Sequence, residues 1–167
     1  YVEFPSQVLE NWASEPSVIR GYAKHYKTGE PIPEALVQKI QKASTFNQGF
    51  AMTELVGAAL LDQAWHATNV DSATAITDVE AFDAAAMKRI GRIPEIAPRY
   101  HGPYFQHIFA GDGYSANYYV YLWAQVLEAD AYRAFEEKKD IFDPELAKKF
   151  RTFIFEAGGS DDEMALY

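Results

Sequence analysis

The sequence predicts an all-α protein. Apolar residues recur at helical spacing in one segment after another, and prolines, glycines and acidic caps fall where such helices would begin and end. Only residues 104–109 carry a pattern compatible with an extended strand. Residues 5–14 read as a first helix with Val8, Leu9 and Trp12 on one side. Pro16 breaks it, and 17–26 form the next, ended by Lys27-Thr28-Gly29. Pro31 and Pro33 mark a turn before a helix over 34–43. Residues 47–68 read as a long, largely buried helix with Phe50, Leu55, Leu60, Leu61 and Trp65 among its apolar positions. A loop follows over 69–77, and Asp78 caps a helix reaching Arg89. Residues 92–113 hold three prolines and three glycines without helical period, so they read as a long loop. A loop of that length in a compact domain is uncommon and is usually functional or disordered. A long tyrosine-bearing helix is expected over 114–138 and a last full helix over 144–157. Gly158-Gly159 closes that helix, and Ser160-Asp161-Asp162-Glu163 reads as a capping box opening another. That helix stops at Tyr167 after barely two turns, and the chain begins at Tyr1 without a methionine. Residues 1–167 are therefore expected to be a single helical fragment of a larger domain, truncated at both ends.

Composition narrows the function classes. At 167 residues and 49% hydrophobic content, the chain can bury a real core. Its formal net charge of -9 argues against a phosphate-binding surface, so nucleic acid is not an expected partner. No run approaches the roughly 18 apolar residues of a membrane span, so no membrane partner is expected either. Cysteine is absent, which rules out disulfides and thiolate metal sites.

The richest stretch runs from His107 to Trp123. A histidine enters a glycine-bearing loop, Gly111-Asp112-Gly113, that feeds the tyrosine helix. Tyr114, Tyr118 and Tyr121 fall at i, i+4 and i+7 and would share one helix face. Tyr119, Leu122, Trp123 and Val126 have the spacing of a buried stripe on the other. Three phenols over roughly 10 Å of helix, beside a histidine, could stabilise a developing oxyanion. On periodicity alone the same aromatic spacing is more often that of packed rings with surface hydroxyls. His107 is either a packed imidazole or a ligand-facing donor, and Glu3 by itself is an ordinary first-turn acid. His25 and His66 have nothing convergent near them in sequence, and His101, after Arg99-Tyr100, stays ambiguous. No H-E-x-x-H motif is present, and no two histidines are spaced for joint metal binding on a helix.

An ordered series of segments carries a resemblance. It comprises Val2-Glu3-Phe4-Pro5-Ser6-Gln7, Glu10-Asn11-Trp12, Arg20-Gly21-Tyr22-Ala23-Lys24-His25-Tyr26 and Ala59-Leu60-Leu61-Asp62. Pro98-Arg99-Tyr100, Tyr104-Phe105-Gln106-His107-Ile108-Phe109, Tyr114 through Trp123 and Phe155-Glu156-Ala157-Gly158-Gly159-Ser160 complete it. In these segments the chain resembles the C-terminal part of the thimet-oligopeptidase-like zinc peptidases, most closely the peptidyl-dipeptidase branch. The resemblance implies the helical C-terminal portion of a zincin-like catalytic domain, whose upstream H-E-x-x-H helix supplies two zinc histidines and the general base. It implies that Glu3 is the third zinc ligand and that His107 contacts bound peptide. It further implies that Tyr114 and Tyr121 bind substrate and stabilise the oxyanion, with Tyr118 lining the same cleft. Two positions depart from the family pattern: Asp112 separates glycines expected to be adjacent, and Asn117 stands where glycine is expected.

The function so implied is release of C-terminal dipeptides from peptide substrates by a zinc metallopeptidase in the cytoplasm, or alternatively in the periplasm. Its partners are the peptide and the upstream part of the same polypeptide. The fragment alone is expected neither to bind zinc tightly nor to cleave peptide. Arg99 is a candidate to hold the substrate's terminal carboxylate. The alternatives are an oligoendopeptidase of the same family and a non-enzymatic helical module that binds peptide on its tyrosine face.

Overall fold

The computed structural model describes residues 1–69, 71 and 76–167; the regular structure among them is helical, joined by turns and irregular segments, with one isolated antiparallel bridge between Lys24 and Pro31. The chain folds as two compact units, residues 1–43 with 120–167 and residues 44–119.

In the first unit, α1 (Phe4–Ser14) opens with Pro5 in its first turn, where a missing N–H leaves no bond unmade. Phe4, Val8 and Trp12 recur every four residues and share a face. They pack on Ala124, Leu127 and Tyr132 of α7 (Val120–Glu137) and on Ile154. Burying each of Phe4 and Val8 contributes about 1.5–3 kcal/mol. Side-chain bonds tie down the rim: Asn11 Nδ2 donates to Glu128 Oε2 at 2.5 Å, Trp12 Nε1 to the Ile141 carbonyl at 2.8 Å. The helix α2 (Pro16–Tyr22) is shorter than its sequence suggests. Bonds between the two arms of the following turn capture the backbone beyond it, with Ile32 N–H on the Ala23 carbonyl at 2.9 Å and His25 N–H on the Glu30 carbonyl at 2.8 Å. α3 (Glu34–Ala43) falls where the spacing predicts it.

The tyrosine helix is corrected at its start. α7 begins at Val120, and 113–119 are turns, so Tyr114 and Tyr118 do not share a helix face with Tyr121. Its buried face is Ala124, Leu127 and Phe135, whereas Tyr119 and Trp123 are each 50% and Val126 59% exposed. Both stripes have helical spacing, and what α1 packs against selects between them. Downstream, α8 (Pro144–Phe150), capped by Asp143, continues as a π-helical stretch over Arg151–Glu156 and closes at Gly158 with φ of 52°. α9 (Glu163–Leu166) is capped by Asp162, whose carboxylate takes the Met164 and Ala165 amides, and not by Ser160.

The second unit is built on α4 (Gln48–His66), which buries Leu55, Ala58, Ala59 and Leu61 while Phe50 and Leu60 are exposed. α5 (Val79–Arg89) is capped by Asp78, which accepts from the Ala81 amide at 2.9 Å. Phe82 of α5 lies on Trp65 of α4 with ring centroids 4.1 Å apart. Of the loop expected over 69–77, residues 70 and 72–75 lie outside the described residues. The stretch 92–113 is not structureless. It holds a 3₁₀ turn at Gly102–Tyr104 and α6 (Gln106–Phe109), so 104–109 is helical and not extended. Phe105 and Ile108, three residues apart, are both buried, and this pair winds the segment into a turn. Gly102 allows the approach: a Cβ there would sit 2.9 Å from Val79 Cγ1 and 3.3 Å from Trp65 Cζ2.

Candidate functional site

Within the second unit, α6 and the turns after it bring His107, Tyr114 and Tyr118 together. The His107 ring meets Tyr114 edge-on at 5.9 Å and Tyr118 edge-on at 5.5 Å. Tyr100 stacks on Phe105 at 4.8 Å and meets the Tyr118 ring at 6.0 Å, so both belong to the same aromatic cluster. Sequence spacing could not supply Tyr100 or Phe105, because both reach Tyr118 only through the fold of 92–113. Beside the cluster lies a pocket of about 370 Å³ lined by Gln106, His107, Ala110, Gly111, Gly113 and Tyr114. Neither glycine takes a positive φ, and a Cβ on either would meet open space.

Tyr118 is only 3% exposed. Burial pushes its phenol above the usual tyrosine range, the Tyr100 phenol adds to that, and the Arg99 guanidinium works against it. The hydroxyl therefore stays protonated, as a hydrogen-bond donor must. Arg99, the candidate for a substrate carboxylate, is paired with Glu54 at 3.5 Å. His101 lies 4.0 Å from Asp83 Oδ2, and the buried Asp83 also accepts from Trp65 Nε1 at 2.9 Å and the Gly102 amide at 2.7 Å.

The backbone of the tyrosine turns is held from α4. Asp62, fully buried at 0% exposure, accepts the Ala116 N–H on Oδ1 at 2.9 Å and the Tyr118 N–H on Oδ2 at 2.8 Å. Its neighbour Gln63 donates Nε2 to the Ala116 carbonyl at 2.6 Å. His66, one helical turn on, places Nδ1 2.7 Å from Asp62 Oδ1, which corrects the reading that nothing converges on it. Ser115 Oγ bridges back to the carbonyls of Ile108 at 3.0 Å and Gly111 at 3.1 Å. The clamped residue, Ala116, is left-handed with φ of 56°, whereas Asn117 is not. The departure from glycine at Asn117 therefore carries no backbone strain. A carboxylate that follows the apolar run 55–61 of α4, one turn before a histidine, is the signal in the sequence that could have revealed this arrangement.

Glu3 and Tyr121 belong to the first unit. Glu3 immediately precedes α1, and its carbonyl accepts from Ser6 Oγ at 2.9 Å and the Gln7 amide at 3.0 Å. Gln7, one turn along the helix, donates Nε2 to the Tyr121 carbonyl at 3.3 Å. Helical geometry puts positions 3 and 7 on the side of α1 that faces the start of α7. The Gln7 Oε1 atom is buried there without a hydrogen-bond partner. Among the described residues no three His, Cys, Asp or Glu side chains converge to hold a metal ion. Glu3 is one anionic oxygen donor, and a protein zinc site needs three or four ligands. The described residues therefore do not by themselves make up a zinc ligand set.

The whole chain, residues 1–167, matches the family model described as Peptidase family M3. It is 44% identical over 168 residues to dipeptidyl carboxypeptidase of Escherichia coli K12, covering 100% of this chain and 24% of that protein. It is 38% identical over 167 residues to oligopeptidase A of Salmonella typhimurium LT2, covering 99% of this chain and 24% of that protein. Saccharolysin of Saccharomyces cerevisiae is 30% identical over 162 residues, covering 97% and 22%. The chain thus spans about a quarter of the length of these relatives, 22% to 24%. With the all-helical fold and the full-length match, the chain belongs to peptidase family M3.

Proposed function

We propose that this chain is the C-terminal part of a zinc peptidase that releases dipeptides from the C-termini of peptides. The carrying observation is the convergence of His107, Tyr114 and Tyr118 beside the pocket of about 370 Å³, in a chain belonging to a peptidase family. Glu3 supplies one ligand to a zinc ion whose other protein ligands lie on an upstream H-E-x-x-H segment. His107 binds the peptide backbone from the short helix α6. Tyr114 and Tyr121 donate their hydroxyls to the oxyanion that forms at the scissile carbonyl. Donors carried on a clamped turn and on a packed helix need little reorganisation as charge develops. Tyr118, held protonated by burial, closes the wall of the cleft.

The test uses the full-length gene product. Tyr121→Phe is expected to lower turnover about 100- to 1000-fold with fold and zinc content unchanged. Unchanged turnover would remove Tyr121 from the chemistry. An intact upstream reading frame without H-E-x-x-H would leave a non-enzymatic peptide-binding module as the better reading. Similarity to oligopeptidase A favours a second reading within the family, internal cleavage of oligopeptides. Paired substrates with free and amidated C-termini separate the two: the peptidyl-dipeptidase requires the free carboxylate, and equal cleavage of both supports the endopeptidase.

A further inference from the structure

We infer that Asp62 and Gln63 are positioning residues that set the backbone of the turn carrying Tyr114 and Tyr118. The inference rests on the peptidase reading for its catalytic consequence and on geometry alone for the clamp. A carboxylate withdrawn from water is costly unless its oxygens are well bonded. Asp62 is fully buried, and each of its oxygens is bonded to a backbone N–H of one short turn, at residues 116 and 118. An apolar side chain could pack in its place, but it could not hold two amides two residues apart.

Gln63 adds a bond that packing does not require. It lies on the exposed side of α4 and reaches the carbonyl of the same residue whose amide Asp62 holds. Both backbone polar groups of Ala116 are thereby bound from adjacent positions of one helix. Ala116 is left-handed, a conformation that a non-glycine residue keeps only where its surroundings over-determine it. The bond to the Tyr118 amide sets that residue's position, and the Tyr118 ring packs edge-on against His107, which in turn meets Tyr114. Asp62 touches none of the reacting groups proposed above. It acts through the turn, and His66 at 2.7 Å holds its Oδ1 from the other side.

The experiment compares Gln63→Ala and Asp62→Asn in the full-length protein. Amide hydrogen exchange reads the clamp, and steady-state kinetics read its consequence. Gln63→Ala removes one exposed side chain and is not expected to lower the melting temperature. It is expected to speed exchange at the 116 and 118 amides about tenfold while α7 keeps its protection. It is expected to lower kcat about 10-fold and Asp62→Asn about 100-fold, with KM within about threefold of wild type. A purely structural role predicts that kcat tracks melting temperature, leaving kcat unchanged in Gln63→Ala; that result overturns the inference. Unchanged exchange at 116 and 118 in both variants overturns it as well. If the wild-type protein cleaves no peptide, the peptidase reading fails, and exchange alone decides the clamp: faster exchange in the folded variants supports it and unchanged exchange overturns it.

Discussion

The phenols of Tyr1, Tyr118, Tyr132 and Tyr167 are pushed above the ordinary range, and the causes differ by residue. Burial leads for Tyr118, with the neighbouring Tyr100 phenol adding to it. Burial leads for Tyr132 as well, reinforced by its hydrogen bond to Glu15 Oε1 at 2.8 Å. Tyr167 is pushed up to about 12 by burial and by its bond to Asp130, and Tyr1 rises by burial and the charge of Glu163. A raised phenol pKa means that the folded state prefers the neutral form. Its contribution is fully present below the unfolded value of about 10 and is lost as pH rises through the folded value. An ultraviolet phenolate titration should therefore show a step near 12 that Tyr167→Phe removes. Tyr132→Phe should make stability less sensitive to alkali. Ionisation of every tyrosine together near the unfolded value would contradict both. None of these shifts is legible in the sequence, because each depends on partners far along the chain, such as Glu15 for Tyr132.

At the scale of elements, the helices that the sequence reads well are those whose ends carry their own chemistry. Asp78 caps α5 as expected, and α3 runs from Glu34 to Ala43 as expected. Misread elements are those whose ends are set by distant groups. The start of α7 is deferred to Val120 because Asp62 holds the amides of residues 116 and 118 in turns. The segment 101–109 coils because Gly102 tucks against Val79 and Trp65 and lets Phe105 and Ile108 turn inward. Gly102→Ala would drive a methyl to 2.9 Å from Val79 Cγ1, so we expect a loss of about 1–3 kcal/mol in denaturant unfolding. Because Phe105 packs on Tyr118, the same substitution should weaken the protection of the Tyr118 amide. A variant as stable as wild type would show that α5 yields at no cost.

At the scale of the whole molecule, the exposed side chains tell as much as the buried ones. Trp123, Val126, Phe142, Phe153 and Phe155 all stand open to solvent. Exposed apolar surface of this extent marks contact with other protein surface, and the chain spans only 24% of its bacterial relatives. The isolated chain should therefore self-associate at micromolar concentration in sedimentation experiments, and the full-length protein should do so less. A strictly monomeric fragment would contradict this. The sequence by itself determined the all-α class, the helix ends that carry their own caps, the acidic charge that disfavours nucleic acid, and the motif series that marks the family. These are local or additive properties, read along the chain without knowing what touches what. Tertiary structure alone decided which apolar stripe of α7 is buried and that Tyr114 and Tyr118 ride on turns. It also decided that Asp62 faces their backbone, because each outcome turns on a contact between residues dozens of positions apart.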